Sequence, residues 1–136
     1  MKMRKSIIFS IALFLFCETT NAQDTQLNPE FHKSKRDALR ANMPANSVAI
    51  LFANPVRNRA NDVDFIYHPD PNFYYLSGFK EPQSVLVIYK ETQQDAEGGY
   101  LDQLFVQERN AAREQWNGYR LGVEGAKKLG LDRVLL

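Results

Sequence analysis

The sequence is poor in the residues that build covalent or thiolate-based sites. It has one cysteine, one tryptophan and two histidines in 136 residues. A single cysteine cannot form an internal disulfide or a zinc site that needs several thiolates. The two histidines, His32 and His68, lie 36 positions apart, so a metal site would need convergent carboxylates around one of them.

Several motifs that identify enzymes from sequence are also missing. There is no G-x-G-x-x-G dinucleotide loop, no Walker phosphate loop, no G-x-S-x-G nucleophile elbow and no H-E-x-x-H metal helix. The formal net charge is only +1, and three basic residues and one acidic residue within residues 1–22 leave the remainder at −1. This balance argues against nonspecific nucleic-acid binding, which needs a clustered basic surface.

The longest apolar run, residues 7–17, is also limited, because its 11 residues fall short of the ~20 that a transmembrane helix needs. Basic residues precede it, and Thr20 and Ala22 supply small side chains at positions −3 and −1 of a cleavage site. The pattern predicts a secretory signal peptide over residues 1–22 and an exported protein. The alternatives are an uncleaved anchor, a buried helix or a lipid anchor on Cys17.

The pattern of apolar and polar residues after residue 22 predicts a polar lead-in at residues 23–30 followed by one α/β domain. Helices are expected over residues 31–43, 111–116 and 122–129, and strands over residues 47–53, 84–89, 101–106 and 133–136. The strands at 47–53 and 84–89 are nearly all apolar, which is typical of strands buried on both faces. Residues 54–64 are expected to form a polar loop and residues 90–99 a polar hairpin-like connection.

The segment "NFYYLSGFKEP" at residues 72–82 has aromatics that fit neither a clean helix stripe nor a strand. If it is helical, Phe73 and Leu76 share one face and Gly78 ends the turn. This predicts a bent turn of helix that plugs the end of the sheet. The alternative is a stacking platform for a ligand, but such platforms usually carry several basic neighbours and only Lys80 is close.

Candidate site residues each have a structural interpretation beside the functional one. His32 is expected on the surface of the first helix, and His68 in a loop stiffened by the two prolines that follow it, Pro69 and Pro71. Asp62 and Asp64 could bind a metal or transfer protons, although a solvated loop is favoured. From its position alone Trp116 is favoured as a core anchor at a helix end, with a cleft position as the alternative.

Two stretches together resemble a known family. They are "DVDFIYHPDPNFYYLSGFKEPQSVLVI" at residues 62–88 and "LFVQERNAAREQWNGYRLGVEGAKKLGLDRVL" at residues 104–135. The order and spacing of their motifs resemble the N-terminal domain of aminopeptidase P, within the creatinase/prolidase group, over residues 31–136. The resemblance implies a mixed β-sheet flanked by helices, ribonuclease H-like, on a chain that stops before the pita-bread catalytic domain.

The resemblance also implies a function for the longer protein. Enzymes of this family are Xaa-Pro aminopeptidases, which remove the N-terminal residue that precedes proline. Two divalent metals, usually manganese, are held by Asp, Glu and His residues of the catalytic domain, where they convert a bridging water to hydroxide. No catalytic or metal-binding residue is therefore assigned in this chain, and the 136-residue chain by itself is expected to be inactive.

The expected partners are the chain's own catalytic domain, further copies in a homo-oligomer and peptides with proline second, with no nucleic acid and no membrane after signal cleavage. Trp116 matches a tryptophan that can face the substrate cleft, including that of a neighbouring subunit, and Arg120 matches the arginine that follows it. This raises the cleft interpretation of Trp116 to equal standing with the core one. The alternatives are a stand-alone binding or assembly module without catalysis and the N-terminal domain of a related pita-bread dipeptidase.

Overall fold

A computed structural model describes residues 28–136 of the chain. The predicted signal peptide and residues 23–27 of the lead-in lie outside the described residues. The described elements, in chain order, are α1 (Pro29–Asn42), β1 (Val48–Phe52), β2 (Asn58–Ala60), β3 (Val63–Asp64), α2 (Pro71–Ser77), β4 (Val85–Asp95), β5 (Gly98–Phe105), α3 (Ala111–Asn117), α4 (Gly122–Ala126), a 3-10 helix (Lys127–Leu129) and β6 (Arg133–Leu135). Within residues 28–136, no helix has the length and apolar character needed to cross a membrane.

The central sheet has four strands in the order β1-β4-β5-β6. The first two pairings are antiparallel and the β5–β6 pairing is parallel, so the sheet is mixed, as predicted. Strands β2 and β3 form a separate two-stranded hairpin within the stretch that was predicted to be a polar loop. The crossover from β5 to β6 contains α3, α4 and the 3-10 helix, because parallel neighbours need a long connection.

The hydrophobic core lies between the helices and one face of the sheet. Each of the four strands contributes one residue to a register-aligned row on this face. In strand order, these residues are Leu51, Leu86, Leu104 and Val134. Leu86 and Leu104 are fully buried, and the whole row belongs to or packs against the core cluster together with side chains from α1, α2 and α4.

The prediction that β1 is buried on both faces is wrong. Its outward side chains are open: Val48 is 48%, Ile50 53% and Phe52 68% exposed. The reason is that β1 forms one edge of the sheet and the helices of the core pack only on the opposite face, which Ala49 and Leu51 occupy. Composition could not show this, because an uncovered apolar strand and a covered one have the same sequence pattern.

Strand β4 is the doubly apolar strand that fulfils the prediction, since three consecutive residues, Leu86, Val87 and Ile88, are buried. The hairpin predicted for residues 90–99 is confirmed, but its strands are longer and its turn shorter than expected. Strand β4 continues to Asp95 and β5 begins at Gly98, so only a tight turn separates them. Asp95 stabilises that turn because its Oδ1 accepts hydrogen bonds from the backbone N–H groups of Glu97 and Gly98.

The prediction that His32 is a surface residue is also wrong. Helix α1 starts at Pro29, two residues earlier than predicted, with the Asn28 side chain accepting from Phe31 N at 2.9 Å. A spacing of four along the helix selects Phe31, Lys35, Leu39 and Met43 as its inner stripe, and Leu39 and Met43 do pack against the core. The fully buried residues of the helix, however, are His32 and Arg36, at 1% and 0% exposure. The inner face therefore also includes two polar residues, which an apolar-periodicity argument cannot select.

These buried polar groups are paired. The Arg36 guanidinium donates to Asp102 Oδ2 at 2.7 Å, to Leu76 O at 2.9 Å and to Gly130 O at 2.5 Å. Asp102 Oδ1 accepts from the Asp132 backbone N–H at 2.9 Å. One ion pair thus joins α1, the end of α2, strand β5 and the entry to β6, so the core is held together by a satisfied polar network as well as by apolar contacts.

The aromatic segment folds as the predicted plug. Helix α2 starts at Pro71, with Asp70 Oδ1 accepting from Phe73 N at 2.9 Å, and it buries both Phe73 (0% exposed) and Leu76 (8%). Gly78 ends the helix in the left-handed region at φ 71°, and a Cβ at this position would lie 2.8 Å from the His32 ring. Only glycine therefore allows α1 and α2 to approach this closely.

Candidate substrate-cleft site

The candidate site is built on α3 and the loop after it. Asn110 caps the helix, because its Oδ1 accepts from Ala112 N at 3.1 Å and Arg113 N at 3.2 Å. Gly118 ends the helix at φ 75°. Both boundaries match the sequence prediction, and they fix the direction in which the seven-residue helix presents its side chains.

Trp116 lies on the outside of this helix and is 87% exposed, so its interpretation as a core residue is wrong. Tyr119, just beyond the helix end, is 61% exposed. Large aromatics are usually buried because they contribute most to core stability, and two exposed ones within four positions mark a surface that is available to a ligand or partner.

Arg109 contacts both α3 and the loop that follows it. Its guanidinium donates to Glu114 Oε1 at 2.7 Å and stands 4.7 Å from the centroid of the Tyr119 ring. The hydrogen bond from Arg109 holds the pKa of the Glu114 carboxyl below its usual value, and it raises the pKa of Arg109 in return. The charge pair and the cation–π contact connect the start of the crossover to α3 and to the loop after it.

Arg120, the second residue expected at the substrate cleft, lies on the same segment but in a different position from Trp116. It lines a polar cavity of about 320 Å³ together with Arg113 and Glu114. Trp116 is not among the residues that line this cavity. The two candidates are therefore neighbours in sequence that the structure places on separate surfaces, an open aromatic one and a charged concave one.

A second cavity, of about 740 Å³, was missed by the sequence analysis. It is formed by the β2–β3 hairpin and the loop before α2, and its lining includes Arg57, Arg59, Tyr67 and His68. The only sequence signal was the clustering of arginines and aromatics in residues 54–68. His68, which was expected to be a structural loop residue, is exposed on this loop, and its carbonyl accepts from Asn54 Nδ2 at 3.1 Å.

Asp62 and Asp64 lie on the exposed β2–β3 hairpin, so their carboxylates are solvated, as the sequence favoured. Asp64 Oδ1 accepts a 3.3 Å hydrogen bond from Asn58 Nδ2. Among residues 28–136, no group of three or more His, Cys, Asp or Glu side chains is arranged to hold a metal ion. The described part of the chain therefore does not fit a two-metal centre.

One hydrogen bond joins the loop after α3 to the end of the aromatic segment. Glu81 Oε1 accepts from the Leu121 backbone N–H at 2.7 Å, which anchors the residue next to Arg120. Burial raises the pKa of Tyr67, the positive charge of Arg120 opposes this rise and the charge of Asp70 adds to it. The loop after α3 thus lies near Glu81 and Tyr67, which follow and precede α2 along the chain.

The fold is shared with solved aminopeptidases. The structure of Pseudomonas aeruginosa aminopeptidase PepP matches with a TM-score of 0.71 at 36% identity, over 81% of this chain and 24% of that one. Residues 32–135 match the family described as Aminopeptidase P, N-terminal domain. The chain belongs to this family, which confirms the resemblance found in the sequence.

Curated relatives agree with this assignment. Xaa-Pro aminopeptidase 3 of Dictyostelium discoideum is 39% identical over 101 residues, which is 74% of this chain and 19% of that protein. The Xaa-Pro aminopeptidase of Escherichia coli is 35% identical over 112 residues, 82% of this chain and 24% of that protein. The chain spans about a fifth to a quarter of the length of these relatives.

Proposed function

We propose that this chain is the N-terminal domain of an exported, manganese-dependent Xaa-Pro aminopeptidase. In this proposal the full-length enzyme removes the N-terminal residue that precedes proline. The residues described here contribute assembly surfaces and one wall of the substrate cleft. The observation that carries the proposal is the match of nearly the whole described chain, residues 32–135, to the aminopeptidase P N-terminal domain.

Trp116 and Arg120 are the residues that we assign to the substrate cleft. Their support is the match to the family pattern together with the 87% exposure of Trp116 on a helix whose two ends are fixed by Asn110 and Gly118. An exposed indole offers a rigid apolar face on which a proline ring or a peptide side chain can pack, and it loses little conformational entropy on binding. The cleft that it lines can belong to the same subunit or to a neighbour in a homo-oligomer.

The metals belong to a different part of the enzyme. Because the described residues do not form a metal-binding group, we assign the two divalent ions to the catalytic domain of the longer protein. When bound there, the ions supply a hydroxide nucleophile at neutral pH. This chain's own residues are assigned to binding and orienting the peptide.

The test compares the full-length protein with the 136-residue chain. Release of the first residue from an Xaa-Pro peptide is expected from the full-length protein with added manganese, and none above a metal-free blank is expected from the 136-residue chain. Failure of the full-length protein to cleave, or turnover by the short chain, would contradict the proposal. N-terminal sequencing of the exported protein should find Gln23 first, since cleavage is predicted after Ala22.

The competing proposal is an assembly module without catalysis, and the lack of a metal-binding group in residues 28–136 is the observation in its favour. The downstream reading frame separates the two. An Asp, Asp, His, Glu, Glu series encoded after residue 136 supports the enzyme, whereas a stop codon immediately after residue 136 supports the module. A full-length protein that hydrolyses only dipeptides would instead indicate the related pita-bread dipeptidase.

A further inference from the structure

The polar cavity of about 320 Å³ beside α3 carries two arginines whose charges are not compensated within the described structure. Arg113 and Arg120 line it, and among residues 28–136 neither side chain forms an ion pair. Of the two acids in the lining, Glu114 is already bound by Arg109, through hydrogen bonds of 2.7 and 3.3 Å to its two oxygens. Only Glu108 opposes the two arginines, so the lining has positive charge available for a ligand.

The loop that carries Arg120 is fixed at two consecutive residues. The pKa of Glu114 is lowered chiefly by the hydrogen bond from Arg109 and to a smaller degree by the backbone of Arg120, which lies close to the same carboxylate. The next backbone N–H, that of Leu121, donates to Glu81 Oε1 at 2.7 Å. The Arg120 side chain therefore starts from a fixed backbone position, which reduces the entropy that it loses on binding a ligand.

The cavity borders the exposed aromatic surface. Arg113 precedes Trp116 by three positions on α3, and residues at this spacing are neighbours on a helix surface, about 4.5 Å apart along its axis. Successive Cα atoms of a bound peptide are about 3.8 Å apart. A peptide whose proline packs on the exposed indole therefore places the side chain of its next residue within reach of the cavity.

We propose that this cavity is a subsite for the carboxylate of an acidic residue that directly follows proline in the substrate, with Arg113 and Arg120 as its binding groups. A guanidinium presents a planar set of donors that matches a carboxylate, so the two arginines select it over a neutral amide of the same shape. The favoured substrates are then Xaa-Pro-Glu and Xaa-Pro-Asp peptides. This inference rests on the aminopeptidase activity proposed above.

The test compares two peptides that differ only in charge, Ala-Pro-Glu-Ala amide and Ala-Pro-Gln-Ala amide, as substrates of the full-length protein. We expect kcat/KM to be about fivefold or more higher for the glutamate peptide. Arg113→Gln should bring this ratio close to one, and Arg113→Lys, which keeps the charge without the planar donors, should keep part of it. Partial unfolding of a variant lowers both rates and leaves their ratio unchanged. Equal kcat/KM values in the unmodified enzyme, or an unchanged ratio in Arg113→Gln, would overturn the proposal.

Two further variants separate the subsite from the overall charge of the protein. Arg57→Gln removes an arginine from the larger cavity beside the β2–β3 hairpin and should leave the ratio unchanged. Glu108→Gln removes the opposing acid of the lining and should raise the ratio about twofold. A ratio that falls as much in Arg57→Gln as in Arg113→Gln, or that falls in Glu108→Gln, contradicts the proposal.

Binding measurements separate a failure of the subsite from a failure of the proposed activity. If the full-length protein cleaves neither peptide, the aminopeptidase proposal fails. Calorimetric titration of the full-length protein with the product peptides Pro-Glu-Ala amide and Pro-Gln-Ala amide then tests the subsite by itself. Tighter binding of the glutamate peptide that is lost in Arg113→Gln supports the subsite, and equal affinities overturn it.

Discussion

The interior next to α1 and the surface of α3 invert the usual distribution of side chains. Inside, His32 and Arg36 are buried at 1% and 0% exposure, while outside, the only tryptophan of the chain is 87% exposed. The buried charge is compensated, since Arg36 has three hydrogen-bond acceptors within the described structure. Trp116 contributes little to the stability of the fold, because most of its surface faces solvent. The contrast teaches that the buried polar residues stabilise the fold, whereas the exposed aromatic side chain is available to bind a ligand.

The largest expected effect comes from breaking the buried ion pair. Asp102→Ala leaves the Arg36 guanidinium buried without its carboxylate, and such a loss costs about 3–5 kcal/mol of unfolding free energy. Chemical denaturation of the 136-residue chain measures the difference. If Asp102→Ala costs less than 1 kcal/mol, the interior network is not what joins α1 to the sheet.

Asp37→Ala is the matched control for that substitution. It removes the same charge, from an acid on α1 whose side chain is 45% exposed and which pairs with Lys33 and Arg40. Surface pairs of this kind are worth about 0–1 kcal/mol. A loss as large as that of Asp102→Ala would mean that net charge, rather than burial, decides the outcome.

An intermediate effect is expected from Gly78→Ala. Gly78 (φ 71°) and Gly130 (φ 70°) both adopt the left-handed helical conformation. A Cβ at Gly78 would lie 2.8 Å from the buried His32 ring, whereas the nearest neighbour of a Cβ at Gly130 is Pro29 Cβ at 3.1 Å. The shared backbone strain is about 1–2 kcal/mol. Thermal unfolding should therefore show a larger loss for Gly78→Ala than for Gly130→Ala. Equal losses would show that α1 and α2 do not approach closely at this point.

A smaller, local effect is expected from acid titration of α3. Because Arg109 lowers the folded-state pKa of Glu114, the contribution of this pair is present above the ordinary glutamate pKa of about 4.3 and is lost as pH falls through the lower folded value. Trp116 is the only tryptophan and lies two residues from Glu114, so its fluorescence should report this transition in the 136-residue chain. Glu114→Gln should abolish the transition, and a titration unchanged by the substitution would contradict the assignment.

Much of the fold could be predicted from the sequence. The apolar strands, the caps at Asn110 and Gly118 and the plug formed by Phe73 and Leu76 follow from local patterns that the structure preserves. The failures have a common cause. The open face of β1, the burial of His32 and the exposure of Trp116 depend on which neighbouring element covers a side chain, and such tertiary information is not contained in a single-sequence pattern.

The candidate site was predictable only in part. Trp116 and Arg120 were identified through the family resemblance, but their placement on separate surfaces required coordinates. The cavity beside the β2–β3 hairpin was missed because its lining residues are scattered through a polar stretch without periodicity. Loops of this kind take their shape from long-range contacts, which short sequence windows do not contain.

The central claim is that Trp116 serves the substrate and not the fold, and steady-state kinetics of Trp116→Ala in the full-length enzyme tests it most directly. We expect kcat/KM for an Xaa-Pro peptide to fall about tenfold or more, equivalent to about 1.4 kcal/mol, while the unfolding free energy changes by less than about 0.5 kcal/mol. Tyr75→Ala, at an exposed aromatic on α2, should leave kcat/KM unchanged. A lower melting temperature with unchanged kcat/KM in Trp116→Ala would contradict the account.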